Sequence, residues 1–210
     1  MKVVVVDYGM GNLRSVAKAI EHVAPQADVC VSGDVADVAR ADRVVVPGQG
    51  AMPDCMREFM ARGIHDEVLR AAASKPFLGI CVGMQMLFEH SEEGDTQGLG
   101  ILPGRVVRFR DDMVGDGGAR LKVPHMGWNN VQSRMSHPLW NDIENGERFY
   151  FVHSYCCVPD DAAVIAATTD YGTPFTCAVA RDNIFAIQFH PEKSASAGLQ
   201  LLNNFMNWHP

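Results

Sequence analysis

Unbroken apolar runs alternate with stretches in which apolar residues recur every three or four positions, and this alternation fills the first half of the chain. Residues 3–6 are consecutive valines ending at Asp7, a β-branched run that predicts a strand buried on both faces, as in a parallel sheet. Leu13, Val16, Ala17, Ile20 and Val23 then follow at helical spacing, with Asn12 as the expected N-cap. Further strands are predicted at residues 28–31, 43–46 and 77–80, with a helical stretch at 56–73 before the last. Strand and helix in turn predict a doubly wound, flavodoxin-like α/β sheet.

The second half changes period. Short apolar segments at 105–109, 128–131, 149–153, 164–168, 175–180 and 184–189 are separated by turn signals, including Arg181-Asp182-Asn183, and predict antiparallel hairpins. The sheet is therefore expected to be mixed, mainly parallel with an antiparallel second half. Residues 194–208, apolar at Leu201, Leu202, Phe205 and Met206, predict a closing amphipathic helix. Residues 111–119, with three glycines and three aspartates, predict a mobile surface loop.

Composition narrows the function classes. A length of 210 residues favours one domain spanning 1–210. A formal charge of −7, from 18 basic and 25 acidic residues, argues against a nucleic-acid partner. No apolar run approaches the roughly 20 residues of a membrane span. The six cysteines, Cys30, Cys55, Cys81, Cys156, Cys157 and Cys177, form no CxxC pair, so no metal site is expected. With Met-Lys leading directly into a strand, no signal peptide is read, and a cytoplasmic chain with reduced thiols is expected.

Candidate chemistry gathers around Cys81. In Leu78-Gly79-Ile80-Cys81-Val82-Gly83-Met84-Gln85 a strand-like run stops at a cysteine flanked two residues each way by glycine, the pattern of a nucleophile elbow built on a thiol. Gln188-Phe189-His190-Pro191-Glu192 supplies a base and an orienting carboxylate; if strand geometry holds there, His190 and Glu192 share a face. Alone, Cys81 reads as a core residue and His190 as a strand end; together they read as nucleophile and base. Asp7-Tyr8-Gly9-Met10-Gly11-Asn12 has Arg14 where a dinucleotide fingerprint needs its third glycine, which turns that reading away. The loop Pro47-Gly48-Gln49-Gly50 occupies the equivalent place after the third strand.

These stretches, with Lys122-Val123-Pro124-His125-Met126-Gly127-Trp128-Asn129 and Tyr150-Phe151-Val152-His153-Ser154-Tyr155, resemble the class I (triad) glutamine amidotransferases over nearly the whole chain. The opening Asp-Tyr-Gly-Met-Gly-Asn and the Pro-His-Met-Gly-Trp-Asn segment are most similar to the branch formed by glutaminase subunits of imidazole glycerol phosphate synthase. The resemblance implies a Cys81–His190–Glu192 triad that hydrolyses L-glutamine without a cofactor. It implies an oxyanion hole from the amides of Val82 and Gln49, and a substrate pocket with Gly48, Gly50, Gln85, Ser154 and Tyr155. It further implies that Asn12, His125, Trp128 and Lys193 mark a face docking a (β/α)8 cyclase subunit, to which ammonia passes. Gln49 departs from the family pattern, which has valine there. Rival readings are another triad glutaminase, such as one feeding pyridoxal phosphate synthesis, a partner-free γ-glutamyl hydrolase, or a binding module with an inert Cys81.

Overall fold

The computed structural model describes residues 1–115 and 117–210. The first half runs β1 (Lys2–Val6), α1 (Leu13–Val23), β2 (Asp28–Ser32), α2 (Val35–Arg40), β3 (Arg43–Gly48), α3 (Met52–Ala61), α4 (His65–Ala72), β4 (Phe77–Cys81) and the single turn α5 (Val82–Gln85). The second half runs β5 (Phe88–Ser91), β6 (Thr96–Gln97), β7 (Leu102–Arg108), β8 (His125–Asn130), β9 (Gln132–Ser133), β10 (Arg148–His153), β11 (Tyr155–Pro159), β12 (Ile165–Asp170), β13 (Pro174–Arg181), β14 (Ile184–Ile187) and α6 (Ala195–Asn207).

Among the described residues one twelve-stranded sheet runs β2-β1-β3-β4-β14-β13-β11-β7-β5-β6, with β12 and β9 branching from β13. Its first five strands are parallel, and β13, β11 and β7 continue it antiparallel. Strands β8 and β10 form a separate antiparallel pair. The expected α/β sheet, parallel first and antiparallel after, is the observed one. The valines of β1 are fully buried, and β3 is buried at every position, as unbroken β-branched runs require.

Right-handed crossovers put α1 on one face and α2 to α4 on the other, because the chain steps from β1 outward to β2 and then back past β1 to β3. That reversal makes a crevice at the carboxyl ends of β1, β3 and β4, where the glycine loops and Cys81 lie. Helix α6 packs on α1 and closes the first face.

Several expectations are corrected. The helix read at 56–73 is two, α3 and α4, parted at Gly63, whose φ of 67° no helix continues. Asn12 occupies the N-cap of α1 but makes no side-chain capping bond. The strand read at 184–189 ends at Ile187, and residues 191–193 form a 3-10 turn, so strand alternation does not set the faces of His190 and Glu192. Asp116, within the segment read as a mobile loop, lies outside the described residues; beside it, a Val114–Arg120 bridge and a bond from Leu121 N to Met113 O tie the segment's ends.

Candidate active site

Cys81 is the last residue of β4 and the N-cap of α5, with φ 56° and ψ −113°. A side chain in that region is strained, at about 1–3 kcal/mol, and the turn persists only because its neighbours over-determine it. Its glycines do so. A Cβ on Gly83 would overlap the Val46 carbonyl oxygen, and one on Gly79 would stand 2.9 Å from Gly83 O. Only glycine therefore lets β4 turn back this tightly against β3. Because α5 is one turn long, a full helix macrodipole is not available to Cys81.

His190 reaches the thiol by leaving the sheet. Gln188 N still bonds Cys177 O on β13, at 2.8 Å, whereas His190 N bonds Tyr150 O on β10, at 2.9 Å. This crossing from the large sheet to the β8–β10 pair aims the imidazole at Cys81. Its Nδ1 bonds Glu192 Oε1 at 3.0 Å, with both side chains buried. The 3-10 turn brings the carboxylate there by local curvature in place of strand alternation. Burial opposes a charge on His190, but the adjoining Cys81 thiol and the Glu192 carboxylate outweigh it and raise the imidazole to about 10. Its buried Nε2 has no hydrogen-bond partner among the described residues and is free for proton transfer.

A cavity of about 340 Å³ opens over Cys81 and is lined by Gln49, Gly50, Val82, Gln85, Ser154, Tyr155 and His190. Gly48 lies beneath it: a Cβ there would come 2.7 Å from Val82 Cβ and from Tyr8 OH. Gln49 is exposed, and its carbonyl accepts from Cys55 Sγ at 3.7 Å. Sequence reading missed Glu93, which supplies the carboxylate in the wall of the cavity; its Oε2 accepts from Met52 N at 2.8 Å. A cleft of about 420 Å³ beside β7, β11 and β13 is larger, but no histidine lines it, and burial drives its Cys156 thiol up to about 12.

Behind the cavity a polarised chain of side chains converges on the Tyr155 carbonyl. Asn129 Nδ2 donates to Asp170 O at 2.7 Å and lies 3.2 Å from His125 Nε2. His125 Nδ1 lies 2.9 Å from His153 Nε2, and His153 Nδ1 lies 2.7 Å from Tyr155 O. Since a carbonyl only accepts, each histidine is neutral and carries its proton on Nδ1. Burial pushes His125 down to about 4 and His153 to about 3. His125, expected at a docking face, is thus buried and stacked on Phe151. Trp128 and Lys193 are exposed, and both flank Tyr150: the rings lie 6.1 Å apart edge-on, and the ammonium sits 5.8 Å over the Tyr150 ring. Asn12 is half-buried at the start of α1, which packs on the 191–193 turn.

This thiol–imidazole–carboxylate set, at the carboxyl edge of a doubly wound sheet, defines a class of enzyme. The family model for class I glutamine amidotransferases matches residues 4–208, and the chain belongs to that family. Within it, the chain is 68% identical over 209 residues to a protein of Aromatoleum aromaticum named imidazole glycerol phosphate synthase subunit HisH, covering 99% of each. The subunit of the same name from Thiobacillus denitrificans is 64% identical, covering 99% of this chain and 92% of that protein. A solved glutamine amidotransferase superposes with a TM-score of 0.72 at 18% identity, covering 98% of this chain and 97% of the other. The structure of PurLQS from Thermotoga maritima gives 0.72 at 20%, with the same coverage. These last two attest the fold.

Proposed function

We propose that this chain is the glutaminase subunit of an imidazole glycerol phosphate synthase, hydrolysing glutamine through a Cys81 thioester and passing ammonia to a (β/α)8 cyclase subunit. The observation that carries the reading is Cys81 held at φ 56° beneath a cavity it shares with a His190 paired to Glu192. The near-full-length likeness to subunits of that name selects the synthase from among glutamine amidotransferases.

The chemistry follows from the protonation pattern. With His190 raised to about 10, the imidazolium is its resting form at neutral pH, so its first proton goes to the departing nitrogen. The Cys81 thiolate attacks the side-chain carbonyl carbon of glutamine, and the displaced π electrons move to oxygen. The amides of Val82 and Gln49 are assigned to hold that oxyanion. Collapse breaks the C–N bond, His190 Nε2 protonates the nitrogen, and ammonia leaves a thioester. Neutral His190 then deprotonates a water, whose attack releases glutamate and returns the thiolate.

Glu93, the carboxylate of the cavity wall, is assigned to the α-ammonium of glutamine, with Gln85, Gly50, Ser154 and Tyr155 assigned to shape the pocket and Gly48 to give room beneath it. The exposed Met126 and Trp128, with Lys193, form the docking face, and Asn12 extends it. The test is a glutaminase assay with and without the cyclase subunit and its nucleotide. Cys81→Ala is expected to abolish glutamine-dependent synthesis in the complex while ammonia-dependent synthesis persists. Loss of both in a folded complex overturns the assignment, and full turnover without a partner points to a free hydrolase.

A further inference from the structure

We propose that Gln188 is a thiolate-binding residue, donating a side-chain N–H to Cys81 Sγ and so holding the nucleophile charged and aimed at the cavity. Its Nε2 lies 3.6 Å from Sγ, and the side chain is fully buried. Amide oxygen and nitrogen are alike in shape, and the surrounding network fixes the direction of this bond. The Tyr155 carbonyl can only accept, so the Gln85 atom 3.4 Å from it is the NH2 group. That same nitrogen lies 3.0 Å from Gln188, whose facing atom must then be the oxygen. Gln188 is left with its NH2 towards sulfur. Reversing it would set two NH2 groups against each other in a buried site, at a cost of one to a few kcal/mol.

The direction also decides the chemistry. A donor stabilises a thiolate, whereas an acceptor would favour the thiol. With α5 only one turn long, the side-chain donor to the negative sulfur is Gln188, while the His190 imidazolium balances its charge. Other titratable groups around it stay neutral near neutral pH: burial pushes Tyr8 and Cys157 up, and Cys55 up to about 11. Glu93, in the cavity wall, and Glu192, paired to His190, are the carboxylates at the site among the described residues. None of these is altered by a change at Gln188.

The inference takes Cys81 as the nucleophile but is tested without glutamine, so the two readings can fail separately. Alkylation of Cys81 in the full chain by iodoacetamide, followed by mass spectrometry of its peptide across pH, reports the thiolate fraction. Gln188→Leu is expected to move the midpoint up by about one pH unit, the scale of one hydrogen bond to a charged group. Gln188→Glu, which keeps the shape and the bond from Gln85, should move it at least as far. A midpoint unchanged in either folded variant overturns the proposal, since a merely structural glutamine would leave it in place. The unmodified chain gives a check free of folding effects. The Gln188 side-chain amide resonances should shift with pH at the alkylation midpoint and stay flat in Cys81→Ala; flat resonances in the unmodified chain overturn the proposal as well.

Discussion

Gln49 stands exposed at the rim of the cavity, with its carbonyl turned to Cys55 Sγ, so its side chain is the dispensable part and its amide N–H the working part of the proposed oxyanion hole. Gln49→Val should retain most glutaminase activity in the complex. Gln49→Pro, lacking the donor, should lose about two to three orders of magnitude in kcat. Proline also restricts the loop. Gly48→Ala is no neutral control for that effect, because its Cβ would press on Val82 Cβ and Tyr8 OH at 2.7 Å; Gln49→Ala is the better one. A large loss in the valine variant would bring the glutamine side chain into the mechanism. Near-normal turnover with proline would move the second donor elsewhere.

At the scale of elements, the β4–α5 turn is tightly constrained. Gly83→Ala would drive a Cβ into the Val46 carbonyl, a backbone atom of β3 that cannot swing aside. We expect a loss of at least ~2 kcal/mol in stability by denaturant unfolding together with loss of Cys81 alkylation at neutral pH. Wild-type stability in that variant would mean that the turn has slack. Here the sequence was readable because glycine spacing encodes backbone geometry directly. The valine runs of β1 and β3 were readable for a similar reason, since strands buried on both faces leave no polar interruption. Less was legible elsewhere. The six-residue α2 buries only Val38 and shows no periodicity. The β11 segment, Tyr-Cys-Cys-Val-Pro, carries neither alternation nor a β-branched run. The departure of the chain from β14 to bond Tyr150 is a tertiary event with no local signature, so the Glu192 contact was foreseen through the wrong geometry. Gln188 was within reach of the sequence: it lies two residues before His190, the same spacing at which Glu192 follows it. Glu93 could not, because β5 and β6 are too short to show which way the loop between them turns.

Over the whole molecule, histidines couple stability to pH. His125 and His137, pushed down by burial to about 4, and His153, to about 3, bind no proton in the folded chain near pH 6 but take one near 6.5 when unfolded. Between about pH 6.5 and 4.5 the unfolded state binds more protons, so stability falls as pH falls. His190 has the opposite shift. Its contribution is complete below 6.5 and fades only as pH climbs towards 10, so it adds no slope in the acid window. The melting temperature should drop by several degrees from pH 6.5 to 4.5, and His137→Leu should flatten that drop; equal slopes in variant and parent would refute the linkage. Partner docking is a property of the same scale. Lys193 is exposed, one residue past Glu192, and its ammonium lies 5.8 Å above the Tyr150 ring, whose backbone carbonyl holds His190 N at 2.9 Å. An exposed cation–π contact is worth only about 0.5–1 kcal/mol, so Lys193→Glu should leave the melting temperature within a few degrees of the parent. If Lys193 meets an acidic group across the interface, reversing its charge should weaken cyclase binding by about tenfold or more, with a slower association that recovers at high salt. Titration of the cyclase subunit into both proteins at two salt concentrations measures this. Unchanged affinity with a sharp loss of thermal stability would make Lys193 a residue of the fold and move the docking charge elsewhere on the face around Trp128.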